Sequence, residues 1–350
     1  MVINIRKIVT TFSLSLLLGI SQACQASDAK PLPGNIPAKL REIQAKCDPA
    51  NVLGVDACVK CHGAEIGQWK TTPHYATFET LHRKPEAKEI AKKLGLRSVK
   101  RNETCTKCHY TCQETEGRTR VVAGVSCESC HGAAKDWVDL HADYGGPTAT
   151  RESESPEHRQ QRLQKSIAAG MNNPTNLYLV ARQCLACHTS PNEKLVNVGG
   201  HKPGSTDFEL VAWSQGMVRH NFLRGNGETN VPSTPERLRV MFVVGVMADL
   251  EASFKATALA TEKAAFGITA AKRALAQKKR LYQIRKLTDN THVAAAMDAA
   301  LSVKLKLNNR EALLAAAERI GQSAYEFAST ADGKDLQAID PLLPAPSSYK

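Results

Sequence analysis

A five-residue motif, Cys-x-x-Cys-His, occurs four times in this chain and constrains it more than any other feature. In this motif two thiols bond to the vinyl groups of one porphyrin, and the histidine becomes the proximal ligand of the iron. The eight cysteines are Cys58, Cys61, Cys105, Cys108, Cys127, Cys130, Cys184 and Cys187, and the histidines after them are His62, His109, His131 and His188. Zinc also binds C-x-x-C pairs, but a zinc site does not need a histidine after every second cysteine. The sequence therefore predicts four covalently bound haem c groups, each with one iron.

The N-terminus has the pattern of a secretory signal peptide. Arg6 and Lys7 precede an apolar run over residues 8–20, and small residues follow it. We predict a signal peptide over residues 1–26 and a periplasmic protein. Lipoprotein anchoring at Cys24 is the less favoured alternative, because the residues before it fit such a site badly.

Two cysteines lie outside the motifs and the signal peptide, Cys47 and Cys112. In an oxidising compartment two remaining thiols suggest a disulfide. Spacing alone gives no Cα distance, so two buried free thiols are the open alternative.

The formal net charge is +12. Four haems would add about eight propionates, so the loaded protein is much less basic than its sequence. Nucleic acid is therefore not implied as a partner. Lysine and arginine side chains would instead neutralise propionates or steer an acidic redox protein.

The chain divides into four regions by composition and motif content. After the signal peptide, residues 27–233 hold all four motifs and are rich in loops, and we expect the haems to form their core. Thr234-Pro235 is a helix start of region 234–330, and the residues after it, 236–330, are Ala-rich without proline. We predict a mainly α protein with little regular strand and a C-terminal antiparallel helical bundle, used for packing or for a homodimer. Residues 331–350 are predicted to be a disordered tail.

Seven histidines remain as candidates for the second axial ligand of an iron. They are His74, His82, His141, His158, His201, His220 and His292. Four bis-histidine haems need four of them, so the count does not require an open iron.

Residues 61–74 and 124–132, the latter followed by His141, resemble the tetrahaem cytochrome c-554 family of ammonia oxidisers. That family is related to hydroxylamine oxidoreductase and pentahaem nitrite reductase. The resemblance covers residues 55–190 and implies a mostly helical periplasmic protein with closely paired haems. It also implies that His141 serves the first haem and His74 the third.

Two departures from the family leave ligands undecided. The family has a histidine just before its fourth motif, but residues 176–183 contain none. His201 and His220 are the candidates for that place. In the family the second haem is five-coordinate, and whether the iron at His109 is open here is undecided; His82, or one of His201 and His220, is a candidate to close it. The long C-terminal bundle, which the small members lack, is the other departure.

Electron transfer is the predicted function, with redox proteins, periplasmic or membrane-bound and quinol-linked, as partners. The alternative is a reductase or oxidoreductase that acts on a small nitrogen or sulfur oxide at a five-coordinate haem. The sequence shows no nucleotide-binding loop or nucleophile elbow. It does not decide whether the protein is an enzyme.

Overall fold

The computed structural model describes residues 35–40 and 47–350. The predictions of a signal peptide and of Cys24 as a lipoprotein site lie outside these residues. Among the described residues, no helix combines the length and the apolar character needed to cross a membrane.

Short helices joined by loops carry the four motifs, as the mainly α prediction requires. The ten helices of this region within the described residues are α1 (Gly63–Trp69), α2 (Pro73–Thr80), α3 (Pro85–Lys93), α4 (Glu103–His109), α5 (Cys127–His131), α6 (Val138–Ala142), α7 (Pro156–Ala168), α8 (Leu177–His188), α9 (Glu193–Asn197) and α10 (Leu210–Ser214). Several begin at a side chain that accepts a backbone N–H, as Thr72 does for Tyr75 and Asn102 for Thr104. Between them run single turns of 3-10 helix.

The described part of the chain contains one sheet, an antiparallel hairpin of β1 (Thr111–Thr115) and β2 (Arg118–Ala123). Its two turn residues, Glu116 and Gly117, both have positive φ (53° and 67°), as the tight turn between two right-twisted strands demands. The hairpin leads the chain from the second motif directly to the third.

The C-terminal bundle consists of α11 (Pro235–Leu259), α12 (Ala265–Arg285), α13 (Thr291–Leu301) and α14 (Arg310–Thr330). Short connections make consecutive helices antiparallel. α11 starts at Pro235 with Thr234 accepting the Arg237 N–H, as predicted. α11 is the central helix, because α8, α10, α12 and α14 all pack against it. Met241 and Met247 of α11 are buried in this core.

The bundle and the fourth motif share one hydrophobic core. Tyr178, Leu179 and Leu185 of α8 are buried in the same cluster as Leu250 and Phe254 of α11. Only small separate clusters lie near the other motifs, for example the one around Ala134, Trp137 and Met171. The fourth motif is thus the one attached to the bundle.

The prediction of a disordered tail is wrong. Residues Lys334–Leu342 form 3-10 turns, with Leu336 and Ile339 buried against the bundle. Arg239 of α11 donates two hydrogen bonds to Asp340, of 2.6 and 2.8 Å. The Pro-rich composition that suggests disorder is offset by these two apolar anchors and one ion pair.

Candidate cofactor sites at the four motifs

Each motif histidine has a second histidine opposite its ring. The ring centroids are 6.2 Å apart for His62–His141, His109–His201 and His131–His220, and 6.3 Å apart for His74–His188. The ring planes meet at angles from 21° to 87°, so these pairs share a separation and not a stacking geometry. Ordinary ring stacking does not explain four equal gaps.

The common separation fits a metal ion between two imidazoles. An imidazole nitrogen binds a transition metal at about 2 Å, and this nitrogen lies roughly 1.1 Å from the ring centroid. Two rings on opposite sides of one metal therefore have centroids about 6.2 Å apart. Rotation of either ring about its metal bond leaves this separation unchanged, which accounts for the varied angles.

The ring positions agree with one expected partnership and differ from another. His141 lies opposite His62, as the resemblance implies. His74 lies opposite His188 of the fourth motif, so its expected place opposite His131 is wrong. The missing histidine before the fourth motif is thus replaced by one from α2.

His201 and His220, the candidates for the fourth motif, lie opposite other motif histidines. His201 faces His109 and His220 faces His131. The second motif, whose counterpart in the family is five-coordinate, therefore has a histidine on its distal side.

Hydrogen bonds to Nδ1 leave Nε2 available in five of these rings. His201 and His220 each bond a nearby carbonyl, of Lys202 at 2.7 Å and of Val218 at 2.6 Å. The other three bonds are His131 to the Asn172 carbonyl (3.3 Å), His188 to Ser205 Oγ (3.1 Å) and His141 to the Val138 carbonyl. A histidine that donates Nδ1–H keeps the lone pair on Nε2, the tautomer of a metal ligand.

Burial keeps three of the motif histidines neutral. It lowers the pKa of His109, His131 and His188 to about 4 in each case. A neutral imidazole has a lone pair to give to iron, and a protonated one does not. Charge state and tautomer therefore both suit ligation.

Local structure explains how the rings are held. α4, α5 and α8 each end at the histidine of a motif, so one helical turn places both cysteines and the histidine around the same point. His74 follows Pro73 at the start of α2, and its carbonyl accepts the Val125 N–H at 3.1 Å. This bond joins α2 to the segment that enters the third motif.

Contacts between cysteines order the four sites. The side chains of Cys58 and Cys127 interact, which places the first motif beside the third. Those of Cys108 and Cys187 interact in the same way at the second and fourth motifs. α5 of the third motif and α4 of the second motif both pack against α8 of the fourth. The sites thus follow the order first, third, fourth, second.

The fourth site is also tied to the bundle by a buried ion pair that the sequence analysis missed. Arg273 of α12 donates to both carboxylate oxygens of Asp249 on α11, at 2.6 and 2.9 Å. Its remaining N–H groups donate to the carbonyls of His188 and Ser205, at 3.1 and 2.9 Å. Ser205 also hydrogen-bonds the His188 ring. The Asp249–Arg273 pair therefore fixes both the backbone of His188 and the residue that orients its ring.

Glu128, the second residue of the third motif, is a further residue that was missed. Its side chain is buried and accepts the backbone N–H groups of Leu53, Gly54 and Ala134, each at 2.9 Å. It thereby fixes the approach to the first motif against the third. A charged residue between two motif cysteines was the available signal.

The remaining histidines have other surroundings. His158 bonds Glu154 at 2.7 Å and His292 bonds Glu326 at 3.2 Å, as expected for polar residues. His82 is in none of the four pairs. The Cys47 thiol donates to the Glu128 carbonyl at 2.9 Å, and no disulfide joins it to Cys112.

Comparison with known proteins agrees with the motifs. Residues 57–132 match the family model described as Cytochrome c554 and c-prime. Cytochrome c-554 of Nitrosomonas europaea is 32% identical over 103 residues, which are 26% of this chain and 43% of that protein. The chain thus spans less than half of this relative, and no solved structure matches it. The expected resemblance is confirmed over residues 57–132, which contain the first three motifs and are similar to the cytochrome c-554 family.

Proposed function

We propose that this protein is a tetrahaem c-type cytochrome that carries electrons between redox proteins, with two histidines on each iron. The observation that carries the proposal is the set of four histidine pairs at 6.2–6.3 Å. The eight motif cysteines would hold the porphyrins covalently, and the iron would supply one-electron chemistry.

The chain's own residues suit electron transfer in three ways. They hold neutral imidazoles in fixed tautomers, so a change of iron oxidation state needs little rearrangement. They set neighbouring motifs side by side, with Cys58 beside Cys127 and Cys108 beside Cys187, so the four sites would form one continuous series. They bring a second histidine to 6.2–6.3 Å from every motif histidine, and this ring would occupy the position at which a substrate would otherwise bind an iron.

The alternative enzymatic function requires an open iron. His201, opposite His109, stands where a substrate would bind in a five-coordinate second site. The structure therefore favours the carrier. The predicted signal peptide and the covalent attachment of haem support a periplasmic location, where soluble or membrane-bound quinol-linked proteins would exchange electrons with it.

Electron paramagnetic resonance of the oxidised holoprotein tests the ligands. We expect four low-spin haems, and a pyridine haemochrome assay should give four haems c per chain. His201→Ala and His220→Ala should each convert one haem to high spin. His158→Ala is the matched control, because that ring bonds Glu154 and should leave the spectrum unchanged. A high-spin haem in the unaltered protein would refute the four-pair assignment and favour the enzyme.

A further inference from the structure

The outer face of α12 combines strong positive charge with exposed apolar side chains. Between positions 263 and 288 the chain has eight basic residues and no acidic one. Ile268, Leu275 and Tyr282 are nevertheless 39%, 48% and 50% exposed. Three large apolar side chains in one row are more than the scattered exposure usual on a protein surface.

These residues form a single stripe. The three apolar residues are spaced seven apart, and exposed lysines, Lys272, Lys279 and Lys286, follow each of them by four. Positions four and seven apart share one face of a helix, so apolar and cationic groups alternate along it. The stripe is roughly 27 Å long at about 1.5 Å per residue.

A neighbouring helix end widens the stripe into a patch. Lys278 donates to the Ala300 carbonyl at 2.8 Å, which sets the end of α13 beside the middle of α12. Leu301, the next residue, is 60% exposed. A patch of this size that mixes exposed apolar and cationic side chains suits a weak, transient protein interface.

The opposite side of the same helix reaches the fourth site. Arg273 is buried on the inner face of α12 and donates to the His188 carbonyl at 3.1 Å. A protein docked on the outer face would be separated from this site by about one helix diameter, roughly 10 Å. The patch therefore lies where electrons could enter or leave the series of sites.

We propose that the α12 patch, made of Ile268, Lys272, Leu275, Lys279, Tyr282, Lys286 and the adjoining Leu301, docks an acidic redox protein that exchanges electrons at the fourth motif. This rests on the proposed function. A second copy of the chain is disfavoured as the occupant, because two such stripes would set lysine against lysine. An acidic surface complements the patch in charge and supplies the steering typical of redox encounters.

Stopped-flow reduction of the oxidised holoprotein by the hydroquinone of flavodoxin, a small acidic flavoprotein, tests the patch. We expect Lys272→Glu/Lys279→Glu to lower the second-order rate constant about tenfold at low ionic strength and to lose this effect at high salt. Leu275→Ser should lower the rate constant at both salt concentrations. The matched control is Lys88→Glu/Lys92→Glu on α3, which changes net charge equally at exposed positions and should change the rate less than about twofold.

Equal slowing by the two lysine pairs would overturn the proposal, since net charge alone would then explain the rates. A second experiment, sedimentation with vesicles containing about 30% phosphatidylglycerol, tests whether the patch binds a membrane surface instead. Vesicle binding that depends on Lys272 and Lys279, with unchanged flavodoxin kinetics, would also overturn it and assign the patch to a membrane surface. Reduction of all four low-spin haems by dithionite is independent of docking, so it separates failure of the patch from failure of the proposed function.

Discussion

Asn in place of Asp249 should be among the most damaging single changes in the bundle. Both side chains of the Asp249–Arg273 pair are almost fully buried, at 3% and 4% exposure. Asp249→Asn keeps the shape but leaves the Arg273 charge buried without an anion. Removal of one partner of a buried pair costs about 3–5 kcal/mol. Ser253 and Gln277 also bond the Asp249 carboxylate, at 3.0 and 2.9 Å, and they can still bond an amide. We therefore expect the lower end, about 3 kcal/mol.

Urea unfolding of the holoprotein, followed by circular dichroism, measures this loss. A double-mutant cycle with Arg273→Met should give a coupling energy of about 2 kcal/mol, because the double variant no longer has a lone buried charge. The same variants should shift one haem potential in opposite directions. Asp249→Asn leaves a positive charge that favours the reduced iron, and Arg273→Met leaves a negative charge that disfavours it.

The reasoning fails if the two substitutions are additive within about 0.5 kcal/mol, since independent sites behave in that way. It also fails if both variants shift the potential in the same direction. Asp298→Asn on α13 is a matched control, because this carboxylate is exposed and should lose less than about 0.5 kcal/mol.

Three further outcomes are expected. A Cβ at Gly124 would overlap the His74 carbonyl oxygen, so Gly124→Ala should displace α2. One high-spin haem should then appear in the electron paramagnetic resonance spectrum. Glu128→Ala leaves three backbone N–H groups, one buried and two half-buried, without their acceptor and should lower the free energy of unfolding in urea by about 3 kcal/mol, and Glu128→Gln by clearly less. Arg239 holds the pKa of Asp340 below its usual value. The pair therefore stabilises the fold at pH values above the usual pKa of an aspartate, and this stabilisation is lost as the pH falls through the lowered pKa of Asp340. The Tm deficit of Arg239→Gln should therefore be present at pH 7 and shrink below about pH 4; an equal deficit at pH 3 would contradict this.

Local patterns in the sequence carried the predictions that succeeded. The motifs are short and ordered, and Thr234-Pro235 marks a helix start whose cap is formed by neighbours in sequence. Long-range pairing was harder. His141 was matched to the first motif only through the resemblance, and His74 was misassigned because its neighbour in space depends on the direction of α2.

The residues that were missed act through contacts distant in sequence. Ser205 and Arg273 meet at His188 from a loop and from a helix of the bundle, and no spacing rule links them. Asp249, which lies among apolar residues of α11, could nevertheless have indicated an ion pair, because a buried carboxylate requires a partner. In the tail, composition misled the prediction: it suggested disorder, but Leu336 and Ile339 anchor the tail to the bundle.

The four histidine pairs have a consequence for how the chain is assembled. Every pair joins a residue at or before position 131 to one at or after position 141, so all four closures span the short segment between them. With an iron bound in each gap, four histidine–iron–histidine connections would join the chain before this segment to the chain after it. A single cut near Lys135 would leave two pieces that stay together until those links are broken. In three pairs the second histidine follows its motif in the chain, and in the fourth His74 precedes it, so no pair can close until the chain on both sides of this segment is present.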